Sequence, residues 1–163
     1  MKYLILVLFS VIVGCVPVTP PVQRIQFPLS EYKILETEGT GIVKGQAFLK
    51  TRGGDVKTAA GNLVFLNPVT SYSDQWYEMN YLLHKSLTVK DSRYDQYIVH
   101  KTIADADGKF EFTNVAPGAY YLVASVFWEA PTGYQGSLRR QGGYIAKKIK
   151  VENGKELKII LTR

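Results

Sequence analysis

The second half of the chain consists of short segments in which apolar and polar residues alternate, each followed by a turn signal. Residues 109–113 alternate strictly, so Phe110 and Phe112 fall on one face of an extended strand. Turn residues flank this segment, at positions 105–108 and at the Pro-Gly pair 117–118. Because a helix needs apolar residues every three or four positions over a longer stretch, this spacing restricts the chain to short strands joined by tight turns.

Similar segments elsewhere predict about seven strands in all. They lie at residues 41–50, 62–67, 96–104, 109–113, 119–128, 144–151 and 157–162. In the first of them, Val43, Ala47 and Leu49 are expected to face the core. Residues 105–108 and the Asn-Gly pair at 153–154 predict hairpins, the second between the last two strands. We therefore expect an all-β fold, a β-sandwich with one short inserted helix.

Aromatic residues are concentrated in an insertion at about residues 70–94, between the second and third predicted strands. Trp76, Asn80 and Leu83 share one helical face, which predicts a short helix here. A candidate binding surface combines aromatic residues of the insertion with those of residues 128–144. Its members are Trp76, Tyr77, Tyr81, Trp128, Tyr134 and Tyr144. Such rings stack on a glycan or anchor a protein partner, but they also close the ends of sandwich cores. Both interpretations stay open at this point.

Residues 102–123 read TIADADGKFEFTNVAPGAYYLV, an aspartate-glycine turn, an alternating strand, a Pro-Gly turn and an aromatic-rich strand. This run resembles the core of the carboxypeptidase regulatory-like domain, and Gly-Ile-Val-Lys-Gly at 41–45 is similar to that family's opening strand. The resemblance implies a transthyretin-like (prealbumin-like) sandwich over residues 41–163 and implies little about function. The insertion at 70–94 departs from the family pattern, so a function particular to this chain is sought there.

Residues 1–14 have the composition of a signal peptide, a lysine followed by an apolar run too short to span a bilayer. The sequence Ile-Val-Gly-Cys at 12–15 resembles the bacterial lipobox. This resemblance implies cleavage before Cys15 and acylation of that cysteine, which makes the lipid bilayer a partner. Because Val16 rather than an aspartate follows, it also implies the outer membrane, facing the periplasm or the surface. Residues 15–40 are interpreted as the lipidated N-terminus and a proline-bearing tether, part of which is apolar enough to pack on the domain as an edge strand.

The sequence contains no set of residues typical of an enzyme. Its only histidines, His84 and His100, lie in different predicted elements, and no serine or cysteine has a recognisable nucleophile setting. The Tyr-Arg-Gly-Ser ending of transthyretin-like hydrolases is missing. Asp105 and Asp107 are explained as turn residues, so neither a metal site nor a cofactor is predicted. The formal net charge of +6 is scattered along the chain, so nucleic acid is not expected as a partner.

These observations predict a membrane-anchored, non-enzymatic lipoprotein whose β-sandwich is a structural or protein-interaction module of the cell envelope. The alternative is a carbohydrate- or peptidoglycan-binding module that uses the aromatic loops. A third hypothesis, a small hydrolase, has the least support in the sequence. The expected partner is an envelope protein or a glycan.

Overall fold

The computed structural model describes residues 19–98, 100–133 and 136–163. Within them the chain forms eight strands in two four-stranded sheets, which confirms the all-β sandwich. The strands are β1 (Gly41–Lys50), β2 (Val56–Thr58), β3 (Leu63–Pro68), β4 (His100–Ile103), β5 (Lys109–Val115), β6 (Gly118–Pro131), β7 (Leu138–Val151) and β8 (Glu156–Leu161). The predicted signal peptide, Cys15 and Tyr134 lie outside the described residues.

The two sheets differ in how their strands pair. In one sheet, β1 pairs antiparallel with β2 and β5 and parallel with β8. The other sheet has the order β4-β3-β6-β7 and is antiparallel throughout. Strands β6 and β7 stay paired along their whole length, from Gly118 opposite Val151 to Pro131 opposite Leu138. Residues 129–143 lie between two predicted strands and were expected to form a loop. Most of this segment instead belongs to the ribbon of β6 and β7.

The main core lies between the two sheets. Val43, Ala47 and Leu49 are 0%, 0% and 4% exposed, so the predicted inward face of β1 is confirmed. Phe110 and Phe112 of β5 are buried in the same cluster, as their alternation predicts. Strand β6 contributes every second residue to this core and turns the intervening residues to the outer face of its sheet.

The turn at residues 105–108 joins strands of different sheets, so the hairpin predicted there is wrong. Asp105 Oδ1 accepts hydrogen bonds from the backbone N–H groups of Asp107 at 2.9 Å and Lys109 at 2.8 Å, which reverses the chain as predicted. Nevertheless β4 pairs with β3, and β5 pairs with β1. Local turn chemistry specifies the reversal, whereas the pairing partner depends on which sheet can bury the apolar face of the strand.

The Asn153-Gly154 turn likewise leads from β7 in one sheet to β8 in the other, so the second predicted hairpin is also wrong. Asn153 Oδ1 accepts a hydrogen bond from Thr40 N at 3.0 Å, and Gly154 N donates to Thr40 Oγ1 at 2.8 Å. These bonds fix the turn beside the start of β1. From there β8 pairs in parallel with β1 and buries Ile159 and Leu161 in the core.

Residues 22–35 pack against the insertion. Val22 forms an isolated parallel bridge with Leu87, and a short helix, α1 (Leu29–Lys33), follows. Phe27 and Tyr32 are 6% and 2% exposed and form a second apolar cluster with Tyr72, outside the sandwich. This part of the predicted tether thus meets the domain through a helix and buried aromatic rings instead of an edge strand.

The insertion is more helical than the sequence predicts. Helix α2 (Ser71–Gln75) continues directly into a π-helix, Trp76–Leu82, and a 3₁₀ helix, Ser92–Tyr97, precedes β4. The Asp91 carboxylate accepts the backbone N–H of Arg93 and begins the 3₁₀ helix. For this reason the strand predicted at residues 96–104 starts only at His100.

Candidate functional site

A network of hydrogen bonds turns the chain out of β3 and into α2. Thr70 Oγ1 accepts from Ser73 N at 3.3 Å, and Ser73 Oγ accepts from Thr70 N at 2.9 Å, which forms a buried capping box. Thr70 Oγ1 also donates to the hydroxyl of Tyr32 at 2.9 Å. The carboxylate of Glu31 accepts from Ser71 N at 2.7 Å. Helix α1 and the insertion are thereby held as one unit against the sheet.

The π-helix stacks its aromatic rings into a ladder. The wider π-turn brings residues five apart onto one face, and the rings of Trp76 and Tyr81 are stacked at 6.1 Å between centroids. Tyr81 stacks on Tyr77 at 5.2 Å, and Tyr77 stacks on Tyr121 of β6 at 4.5 Å. The hydroxyl of Tyr121 donates to the carboxylate of Asp74 in α2. The ladder therefore fixes the π-helix to the sheet, with Trp76 at the end farthest from Tyr121.

Between the insertion and the outer face of the β4-β3-β6-β7 sheet lies a cleft of about 350 Å³, which we name the sheet cleft. Cross-strand pairing places Phe65 beside Lys101, and Ser125 beside Tyr144, on this outer face. The insertion supplies other walls of the cleft, including Trp76. Its apolar and aromatic lining consists of Leu63, Phe65, Trp76, Tyr94, Ile98 and Tyr144.

Charged groups also line the sheet cleft, and cations outnumber anions among them. Lys90 and Asp95 form an ion pair with 2.6 Å between Nζ and Oδ1. Lys101 Nζ donates only to the backbone oxygen of Asp95, at 3.4 Å, among the described residues. Arg24 Nε donates to the backbone oxygen of Thr88 at 2.8 Å. Arg24 and Lys101 thus contribute positive charge that no carboxylate in the described part of the cleft neutralises.

A buried amide lies in the wall of the sheet cleft. Asn67 is 0% exposed, and its Nδ2 donates to the hydroxyl of Tyr94 at 2.6 Å. Its Oδ1 has no hydrogen-bond partner within the described residues. Burial raises the pKa of Tyr94 far above its usual range, so this hydroxyl stays protonated. An unpartnered buried carbonyl oxygen costs about 1–3 kcal/mol, and because this atom is itself buried it is not exposed to the cleft.

Trp76 and Tyr144 also border a second groove of about 280 Å³. Its other lining residues are Asn80, Tyr81, His84, Gly142, Gly143 and Arg163. Tyr144 is 48% exposed. The two aromatic side chains are therefore shared by the cleft and the groove, and an elongated ligand can contact them from both cavities.

The structure separates the six aromatic residues of the predicted surface. Trp76 and Tyr144 line the sheet cleft, and Tyr81 lines the second groove. Tyr77 instead stacks on Tyr121. Trp128 packs against the main core, because the alternation of β6 places residue 128 on the inner face. Tyr134 lies outside the described residues.

The polar side chains of the cleft were missed by sequence reasoning, among them Arg24, Asn67, Tyr94 and Lys101. Arg24 belongs to the predicted tether. Tyr94 lies near the end of the insertion, and Lys101 lies on β4. Only Asn67 could have been noticed in the sequence, because it is a polar residue on the same face of its strand as Leu63 and Phe65. Its burial depends on the insertion folding back over the sheet, which no local pattern predicts.

Other kinds of site have less support. Across residues 19–98, 100–133 and 136–163, no group of three or more His, Cys, Asp or Glu side chains is placed to hold a metal ion. None of the helices formed by the described part of the chain is long and apolar enough to cross a membrane. His100 lines a separate recess with Tyr32 and Tyr120, where burial lowers the pKa of its imidazole.

Comparison with known proteins finds a similar solved structure. No protein-family model matches the chain, and no curated protein matches it. The crystal structure of a candidate carbohydrate-binding protein from Pseudomonas aeruginosa is similar, with a TM-score of 0.74 and 26% sequence identity. The similarity covers 86% of this chain and 99% of that chain. The chain thus shares the architecture of that protein over nearly all of the latter's length.

Proposed function

We propose that this protein is a non-enzymatic saccharide-binding module and that the sheet cleft is its binding site. The observation that carries the proposal is the combination, in one cleft, of the aromatic side chains Trp76 and Tyr144 with the polar side chains Ser125 and Lys101. Sugar rings present apolar C–H faces to aromatic rings and hydroxyl groups to hydrogen-bonding side chains, so they match this combination. The similarity to a candidate carbohydrate-binding protein supports the same ligand class.

The charged groups of the cleft favour binding over hydrolysis. Glycoside hydrolases generally use a pair of carboxyl groups on opposite sides of the scissile bond. Asp95 is the one carboxylate among the described lining residues, and it is engaged with Lys90. Neither histidine lines the sheet cleft, since His100 lies in a separate recess and His84 borders the second groove. A binding role in the cell envelope is therefore favoured over the small hydrolase.

The sequence arguments supply the context in which this module works. We infer that the chain is a lipoprotein acylated at Cys15 and held at the outer membrane, and that its sandwich is of the carboxypeptidase regulatory-like kind. The lipobox-like Ile-Val-Gly-Cys at residues 12–15 and the 102–123 run support these inferences. Acyl chains contribute about 0.8 kcal/mol per buried methylene, so more than one chain gives lasting attachment. The glycan partner would then be a component of the envelope or of its surroundings.

A glycan array probed with the full-length protein in detergent tests the binding proposal. We expect retention of a restricted set of saccharides, and we expect Tyr144→Ala to abolish it. The matched control is Tyr120→Phe, a change on the inner face of the same sheet that removes only a hydroxyl bonded to the backbone oxygen of Ala116. The proposal is wrong if the folded protein retains no saccharide, or if Tyr144→Ala leaves the retained set unchanged.

A further inference from the structure

The sheet cleft carries a formal excess of positive charge. Three cationic side chains and one carboxylate line it, and the carboxylate of Asp95 is already paired with Lys90 at 2.6 Å. Arg24 precedes the insertion in the sequence and Lys101 follows it, and both side chains line the cleft. Since a neutral sugar gains little from uncompensated charge, this arrangement indicates more than general saccharide binding.

Arg24 is held in place without using the terminal nitrogens of its guanidinium. Its backbone N–H donates to Thr88 Oγ1 at 3.0 Å, and its Nε donates to the backbone oxygen of Thr88 at 2.8 Å. The guanidinium carbon lies 5.2 Å from the ring centroid of Tyr72. The terminal nitrogens form no hydrogen bond or ion pair with any described residue. An immobilised guanidinium with free terminal donors suits bidentate binding of a carboxylate.

We propose, on the basis of the saccharide-binding function above, that the preferred ligand of the sheet cleft is an acidic, carboxylate-bearing saccharide. Arg24 and Lys101 bind the carboxylate, and a ring of the sugar stacks on Trp76 or Tyr144. The ligand thus neutralises the excess positive charge that the protein leaves open in the cleft.

The experiment compares each acidic saccharide with its own neutral form. An array holds uronic-acid and sialic-acid oligosaccharides beside their methyl esters, which keep the ring and its hydroxyl groups but remove the charge, together with neutral oligosaccharides. The full-length protein in detergent is applied at 50 and 300 mM salt. We expect at least about tenfold weaker binding of the esters at low salt, and a smaller difference at high salt, because ion pairs at a partly open site are screened.

Two substitutions with opposite expected effects on affinity separate charge recognition from simple disruption of the fold. Lys101→Met removes a cation and should weaken binding of the acidic saccharides about tenfold, with little effect on their esters. Asp95→Asn releases Lys90 from its ion pair and should strengthen binding of the same saccharides several-fold. Lys50→Met is the charge-matched control, since Lys50 is exposed on β1 of the other sheet.

The outcomes distinguish this inference from the proposed function. Binding of saccharides without preference for the acidic forms would refute the inference and leave saccharide binding intact. The absence of all saccharide binding would refute both. An affinity for acidic saccharides that Asp95→Asn lowers, or that Lys50→Met lowers as much as Lys101→Met, would also overturn the inference, because the recognised charge would then lie elsewhere.

Discussion

The two tryptophans give the sharpest separation between the binding site and the core. Trp76 borders the sheet cleft, whereas Trp128 packs against the main core from the inner face of β6. A tryptophan side chain has about 200 Å² of surface, and because Trp76 is half-buried a sugar that covers about 50 Å² of it gains about 1.25 kcal/mol at ~25 cal/mol per Å². Trp76→Ala should therefore weaken saccharide binding roughly eightfold. It should lower the free energy of unfolding by about 1–2 kcal/mol, because the indole is half-buried and packs on Tyr81.

Trp128→Ala should have the opposite profile. A buried tryptophan replaced by alanine costs about 3–5 kcal/mol, and the partial burial of Trp128 reduces this to about 2–3 kcal/mol. For a domain of this size that corresponds to a melting temperature lower by roughly 5–10 °C. Calorimetric titration with the best array ligand, and thermal unfolding of the same samples, measure both quantities. If both variants lose binding equally while both keep the wild-type melting temperature, the assignment of Trp128 to the core and of Trp76 to the site is refuted.

Three further predictions concern Gly142 in the β6-β7 ribbon, His100 in its recess and the anchor at Cys15. Gly142 has φ +98°, and an added Cβ would overlap a backbone oxygen of β6, so Gly142→Ala should lower the free energy of unfolding in urea by about 3 kcal/mol. The control is Gly54→Ala, which should cost about 1 kcal/mol, because φ is +93° there but nothing lies within 4 Å of the added Cβ. Burial lowers the pKa of His100 in the folded state, so stability should be constant above an unfolded-state pKa of about 6.5 and fall as pH drops below it. His100→Leu should flatten that dependence and the exposed His84→Leu should not; an unchanged profile in both would contradict the role of His100. Labelled palmitate should be incorporated into the wild type and not into Cys15→Ser, and equal labelling would rule out the anchor.

The strands were predictable because their determinants are local. In residues 41–50 and 109–113, alternation alone places Val43, Ala47, Phe110 and Phe112 in the core, and the structure agrees. The pairing of strands was not predictable at the two turns that cross between sheets. Each turn is closed by a local hydrogen bond, so its sequence is compatible with a hairpin and with a crossover alike. Only the packing of the whole sandwich decides between them.

The candidate site was predictable only in its aromatic part. Trp76 and Tyr144 were selected from their residue type and position, but the polar groups came from segments with no local signal. Arg24 enters the cleft because buried rings fix residues 22–35 to the insertion. Lys101 reaches this face of the sheet only through the pairing of β3 with β4, which places it opposite Phe65. A site assembled from distant segments in this way depends on tertiary packing, and the local pattern of a single strand carries no information about that packing.

The attachment of residues 22–35 also limits how far the sheet cleft can lie from a bilayer. Val22 N donates to Ser86 O at 2.7 Å, and Thr88 N donates to Val22 O at 3.0 Å, so the chain is fixed to the insertion from residue 22 onward. On the proposed acylation of Cys15, the chain between Cys15 and Val22 spans at most about 25 Å. Arg24 follows within two residues and lines the cleft. A lipid anchor at Cys15 would thus hold the cleft close to the membrane surface, where saccharides of that surface are within reach and distant ones are not.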